Sequence, residues 1–599
     1  MAVALLPAGA AAQVKFGDFS THLSGTIAPG YSADYSNMGP SDHSWVLAGT
    51  GNFTGSYYNP NFLTFAATYY LNQSRANSDF QSISNASGVD LTTSIFGGSH
   101  FPGAVNYSKT YNSEGNYAVP GLADYVTHGN SDTFAVNWSE NLPKTPTFSA
   151  GYQMGTSNYS VYGTNDQGSN NFRSLNLHSG YQLDGFNLGA YYTTGDSNSQ
   201  IPELLGSLSE AETHSTTDAV GFNVAHSLPL QGSASAGFNR SSWDTNFIGT
   251  TSSGTIDMIN GSAAVHPTQK TLLTGTVTYS DNLTGQLLQS IVAAGGVVAG
   301  AANDQTSNSL DILGVATYSP SVNLQLSALG ELRNQTYLGE NYGVASAGGS
   351  VTYLRDLLDG TFNGSFSLTE NLNDQNSNSS LGFSANGSYS KLVLGWHLNG
   401  SLNYAQNAET LLVTYMNSYY NYSGNARRAW GNFNLSMGAG GSRTALTQIA
   451  GTTSQSDSYN ASMGYGRWIT ATGSYAHASG QAVATGAGLT PVPIPTPVLP
   501  ASLISLYGGT SYSGGLSSSP IRRLSLAAAY ARSNSDIASQ GISSSNQTQQ
   551  FNSLIQYQVR KLYYTSGYAR LEQGFSTSGL QPQIVSSYYV GISRWFNFF

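Results

Sequence analysis

The feature that most constrains this chain is a strict two-residue alternation that reverses through Asp184-Gly185. From Ser174 to Gly195 the sequence reads SLNLHSGYQLDGFNLGAYYTTG. Asp-Gly is the dipeptide that best accepts two successive positive φ angles, which a two-residue hairpin turn requires. A turn there sets Leu183 against Phe186, Tyr181 against Leu188, Ser179 against Ala190, Leu177 against Tyr192 and Leu175 against Thr194, a mostly apolar face. The other face pairs Gln182 with Asn187, Gly180 with Gly189, His178 with Tyr191 and Asn176 with Thr193, and is polar or bare. Two contexts explain such strands: a soluble sandwich whose apolar face looks inward, or a membrane barrel whose apolar face looks out at lipid.

Charge separates the two. Only 9% of the 599 residues are charged, against about a quarter in an ordinary soluble domain. So much uncharged surface needs another solvent. The 39 Tyr and 68 Gly fit a barrel, because tyrosine suits a membrane–water interface with its ring in the apolar zone and its hydroxyl in water. No apolar run reaches the roughly eighteen residues of a membrane helix. Cysteine is absent, which excludes disulfides, a lipoprotein anchor, Cys-ligated metal and covalent c-type haem in this chain. The formal charge of -10, with 21 scattered Lys and Arg, argues against nucleic-acid binding. Residues 1–12 read as the end of a secretory signal with an A-x-A site at Ala10-Ala11-Ala12, and 13–599 as the barrel.

Short turns recur, near Asn59-Pro60, Phe101-Pro102, Leu142-Pro143-Lys144, Asp184-Gly185, Pro229-Leu230, Pro267-Thr268, Pro320-Ser321, Asp359-Gly360, Ser390-Lys391, Ala426-Arg427-Arg428, Arg467-Trp468, Pro520-Ile521 and Arg560-Lys561. Longer polar loops separate them. The alternation predicts an all-β fold: a single large closed antiparallel transmembrane β-barrel of about 26–28 strands, with short periplasmic turns and long extracellular loops. Basic residues gather at the short turns, where they would meet anionic headgroups of the inner leaflet. In this reading Leu175, Leu177, Tyr181, Leu183, Phe186, Leu188, Tyr192, Leu524, Leu526 and Tyr530 face lipid, while Asn176, His178, Gln182 and Asn187 face the lumen.

The chain end SSYYVGISRWFNFF resembles the C-terminal signal of bacterial outer-membrane β-barrel proteins, a last strand of alternating apolar residues with a terminal aromatic. Tyr588, Val590, Ile592, Phe596 and Phe598 form the apolar set, interrupted by Arg594; Phe599 is terminal and out of phase. The resemblance implies the bacterial outer membrane, its lipid, and assembly by the barrel-insertion machinery.

No H-E-x-x-H, P-loop, G-x-S-x-G or C-x-x-C-H pattern occurs, so neither an enzyme, a cofactor nor a metal site is expected. The glycine cluster SMGAGGSR from Ser436 reads as strand packing, and His397 as a lumen or interface side chain. Size then suggests function, because 16–18 strands already give an aqueous channel and 22-stranded transporters carry a plug. With strand pattern starting just after Gln13, no plug is expected here. The lumen would be narrowed by loops such as 291–303 and 488–503, or filled by a partner protein, a cytochrome or an export subunit. The layout is similar to the barrel components of porin–cytochrome electron conduits, though their N-terminal cysteine pair is missing. A general porin or polysaccharide or polymer exporter is the alternative, and a surface adhesin or structural protein a further one.

Overall fold

The computed structural model describes residues 14–37, 41–74, 85–117, 125–161, 167–201, 211–247, 250–282, 307–337, 339–373, 379–409, 416–446, 453–483, 492–493, 504–539, 542–575 and 581–598. The apolar segment 291–303, residues 1–12 and Phe599 lie outside them. Of 488–503 only Val492 and Pro493 are described, bridged to Ala482 and Val483.

The described residues form no helix. They build one antiparallel sheet in which 28 long strands follow one another in sequence order. The strands run from 10 residues, Thr271–Ser280, to 19, Thr250–Thr268. A short segment, Val14–Phe16, folds back on the start of the first long strand. The sheet closes where Phe19–Ser36 pairs with Gln583–Asn597, from Ser24 opposite Asn597 to Ser36 opposite Val585. Pro29, which has no N–H to give, interrupts this seam ladder between Ile27 and Gly30.

The wall's dimensions follow from its pairing. Following cross-strand partners once around returns to the first strand displaced by about 32 residues, which tilts the strands by about 40°. Strands about 4.8 Å apart at that tilt make a ring about 55 Å across between backbones when drawn as a circle.

The hairpin at Asp184-Gly185 has the predicted register throughout, from Leu183 opposite Phe186 to Leu175 opposite Thr194. Asp184 (φ 48) and Gly185 (φ 85) both take positive φ. The last hairpin likewise sets Val559, Tyr557 and Ile555 against Leu562, Tyr564 and Ser566. Five turns lie elsewhere than their sequences suggest. Pro267 and Pro320 do not turn the chain: each sits in a register shift just before its turn, at Val265/Thr268 and Tyr318/Ser321. A proline cannot join the ladder, so the strand bulges around it and turns two residues later. The third turn is Leu358-Asp359 rather than Asp359-Gly360, with φ 53 and 58. The other two fall at Leu394-Gly395, not Ser390-Lys391, and at Gly431-Asn432, not Ala426–Arg428. There the positive φ of Gly395 (81) and Gly431 (59) decided the position, whereas polarity alone pointed to the nearby cations.

Because Gly185 holds φ 85, Gly185→Val should destabilise the barrel by about 1–2 kcal/mol and Gly185→Asn by much less. The urea midpoint for loss of the compact, fast-migrating form on an unboiled gel reads the difference.

Candidate functional site: the two faces of the wall

Alternation gives the wall an apolar and a polar face, and a barrel's function resides in what each presents. Leu183, Phe186, Leu188 and Tyr192 are all exposed on the apolar face, and the pairing carries that face from strand to strand. Leu524 and Leu526 meet Tyr557 and Ile555, and Tyr530 meets Phe551. On the other side of the seam strand Tyr588, Val590 and Ile592 meet Tyr568, Ser566 and Tyr564, and Phe596 stacks on Phe598 with centroids 5.6 Å apart. Arg594 does not break this set, because its guanidinium lies 4.9 Å from the Phe596 ring, a cation–π contact.

The apolar face is a band with two polar borders. At the short turns aromatic and basic side chains alternate: Arg428 lies 5.8 Å from the ring of Trp396 and 5.1 Å from that of Trp430. Toward the long loops the same face ends in ion pairs, Lys109–Asp132 at 3.5 Å, Arg173–Asp196 at 4.0 Å, Arg240–Asp257 at 3.6 Å and Arg443–Asp457 at 2.8 Å. Arg173 stands about ten residues from Leu183, which at the strand tilt is a height of about 25 Å. That is the thickness of the apolar band of outer-membrane barrels.

The polar face carries Asn176, His178, Gln182 and Asn187 on alternate positions of one hairpin. Elsewhere it is built largely of hydroxyls that satisfy one another. Directly opposed pairs hydrogen-bond across neighbouring strands: Thr26 with Thr50, Ser235 with Ser262, Ser367 with Ser384, Ser401 with Ser423, Ser436 with Ser462 and Ser474 with Ser513, all at 2.6–2.9 Å. The Ser436–Arg443 glycine cluster is part of this wall, in strand Phe433–Leu446. Aromatic rings on this face lie flat on glycines of the next strand, Tyr191 on Gly221, Tyr159 on Gly168 and Phe172 on Gly155, where an added Cβ would come 2.6 Å from the Phe172 ring. The surface is therefore low in relief. Charge on it is sparse: Arg333 lies 2.7 Å from Glu331 and 3.6 Å from Asp311, and Asp90 accepts from the Ser108 hydroxyl. His397 stands opposite Arg427 on this face, behind Trp396. Among the described residues no three His, Asp or Glu side chains are placed to hold a metal ion.

Burial on the polar face is uneven. Its fully covered side chains gather toward the long-loop ends, among them Trp243, Ile256, Gln335, Val344, Asn371, Asn546, Leu571 and Gln573, each 4% exposed or less.

The alternation pointed to the faces, but neither the hydroxyl pairing nor the ring-on-glycine packing was expected. Their trace in sequence is Ser recurring at alternate positions, and Gly where a neighbouring strand carries an aromatic.

A closed antiparallel wall with an apolar band of this height is the architecture of a bacterial outer-membrane β-barrel protein. No family model matches the chain, and no curated protein matches its sequence. Its fold is similar to the FrpB iron transporter from Neisseria meningitidis (F3-3 variant), at 8% identity over 96% of this chain and 81% of that one, TM-score 0.35. A ferric enterobactin receptor (PfeA) mutant from Pseudomonas aeruginosa matches at 8% identity over 96% and 80%, TM-score 0.38. The copper transporter OprC matches at 9% identity over 98% and 81%, TM-score 0.35. At such scores nothing about cargo follows.

Gly155→Val should force the Phe172 ring off the wall and cost about 1–3 kcal/mol. Adding Phe172→Ala should recover part of that loss. A double-mutant cycle on urea unfolding reads the coupling; strict additivity would show that the ring and the glycine do not pack.

Proposed function

We propose that the chain is a large outer-membrane conduit, with its apolar face in lipid and its polar face lining a lumen that is narrowed from within or filled by a partner subunit. The observation that carries this reading is the closed wall of 28 strands. After side chains, a ring of that size leaves a lumen about 40 Å wide, comparable to a folded domain of roughly 100–150 residues. Left open, it would breach the membrane's permeability barrier. In this orientation Leu175, Leu177, Tyr181, Leu183, Phe186, Leu188, Tyr192, Leu524, Leu526 and Tyr530 contact lipid, and Asn176, His178, Gln182 and Asn187 contact water or cargo. The short turns face the periplasm.

The burial of Trp243, Ile256, Asn371 and Gln573 supports narrowing at the long-loop, extracellular end. Among the described residues the polar face toward the short turns is largely exposed, which leaves room for a partner entering from the periplasm. A wall of paired hydroxyls with few charges selects weakly by charge. It suits a neutral polymer or a protein surface better than a small ion.

Two measurements test this. In planar bilayers the purified barrel should conduct modestly if its own loops narrow it and very strongly if a partner normally fills it, in either case with little preference for cation or anion; strong ion selectivity would overturn the reading. Since the chain has no cysteine, single-cysteine labelling tests the faces. His178→Cys and Asn187→Cys in vesicles should react with a water-soluble maleimide and Leu177→Cys and Leu188→Cys should not, and the reverse pattern would invert the barrel.

The narrower version, a sheath for an electron-transfer protein, is tested by co-purification from native membranes with haem staining. A stoichiometric haem protein supports it. Absence of one leaves the exporter or porin.

A further inference from the structure

The cations of the short-turn rim are unevenly distributed around the barrel. Six consecutive short turns, from Leu358-Asp359 to Arg560-Lys561, bring Arg355, Lys391, Arg427, Arg428, Arg467, Arg522, Arg523, Arg560 and Lys561 to one continuous arc of the wall. Arg594 continues it on the last strand. Among the described residues only Asp356 and Asp359 oppose them there. The seven preceding short turns carry Lys144 and Lys270, balanced by Glu140 and Asp184. Among the described residues none of the arc's cations forms an ion pair, whereas Lys109, Arg173, Arg240, Arg333, Arg443 and Arg570, higher on the wall, each do. The arc also carries exposed apolar tips: Leu358, Leu394, Trp430, Trp468 and Ile521 are between 44% and 85% exposed.

We propose that this arc is a docking surface for an acidic face of a periplasmic protein. Three features favour that occupant over membrane lipid. A lipid border is needed all round the barrel, and the cations occupy less than half of it. Arg467, Arg522, Arg523, Arg560 and Lys561 sit in the turns themselves, beyond the strand positions that face lipid. Unpaired arginines interleaved with Trp, Leu and Ile are the composition of interface hot spots, and summed like charges steer an acidic partner to them. The arc also borders the end of the lumen where the described polar face is exposed. The inference rests on the periplasmic orientation proposed above, but does not require that the lumen be filled.

The test uses the full chain in nanodiscs of zwitterionic phosphatidylcholine, with a fluorescent polyglutamate peptide as probe. Saturable binding that weakens as salt is raised is expected. Reversing Arg522, Arg523, Arg560 and Lys561 to Glu should lower the affinity about tenfold or more, while Lys144→Glu with Lys270→Glu should change it by less than about twofold. Heat-modifiable migration shows independently that each variant is a folded barrel; should the reversals fail to fold, the same four positions changed to Gln carry the test. No binding by the parent, or equal loss from both sets, overturns the proposal. So does loss of peptide binding when phosphatidylglycerol is added to the nanodiscs, because the arc would then belong to lipid headgroups.

Discussion

Everything in this molecule depends on the backbone ladder that joins Phe19–Ser36 to Gln583–Asn597. Within hydrocarbon an unpaired strand edge leaves a row of N–H and C=O groups with no partner, each costing several kcal/mol. A sheet crossing a membrane must therefore return to its first strand. Once it does, strand number and stagger set the diameter, and the diameter sets what the protein has to do about its own lumen. Pro29 shows how tightly this is drawn, because the seam loses pairing around it and resumes at Gly30 without a change of register.

The polar face has a different problem from the apolar one. It must stay compatible with water without spending charge, since a charge facing a narrow space is costly unless paired. Opposed hydroxyls such as Ser401 and Ser423 solve this locally, each giving the other a partner. The rings of Tyr191 and Phe172, laid over glycines, remove bulk that would otherwise project inward. Apart from the Arg333 cluster, ion pairs go to the long-loop border of the apolar face. Arg173 and Asp196, 71% and 41% exposed at 4.0 Å, add little to stability as a pair. Their place is explained better by where the apolar band has to stop.

How much of this was legible varied with the range of the interaction. The Asp184-Gly185 hairpin was readable to the last pair because turn chemistry and alternation agree there. The strand number was readable because short turns alternate with long loops, and the 28 strands fall within the expected range. Local signals failed where two of them competed: Pro267 and Pro320 looked like turn residues and are bulge residues, and Leu394-Gly395 looked like strand and is a turn. The pairing of Ser235 with Ser262, or the approach of Phe172 to Gly155, depends on inter-strand register. Alternation fixes register only to within two residues, so single-strand patterns could not reveal those contacts.

Net charge was the least informative number of all, and the fold explains why. A formal charge of -10 describes a mildly acidic chain, but the closed sheet sorts its charges by height. Cations collect at one rim, while carboxylates such as Asp34, Asp244, Asp281 and Asp536 lie toward the other. Fields of opposite sign at the two mouths of a low-dielectric cylinder do not cancel for a molecule approaching one of them, because screening confines each to about a Debye length, roughly 8–10 Å. On the orientation and docking proposed above, an acidic partner meets the positive rim and not the average. The sparsely charged, low-relief wall beyond that rim offers little competing attraction, so in the conduit proposed above the electrostatic discrimination falls at the entrance.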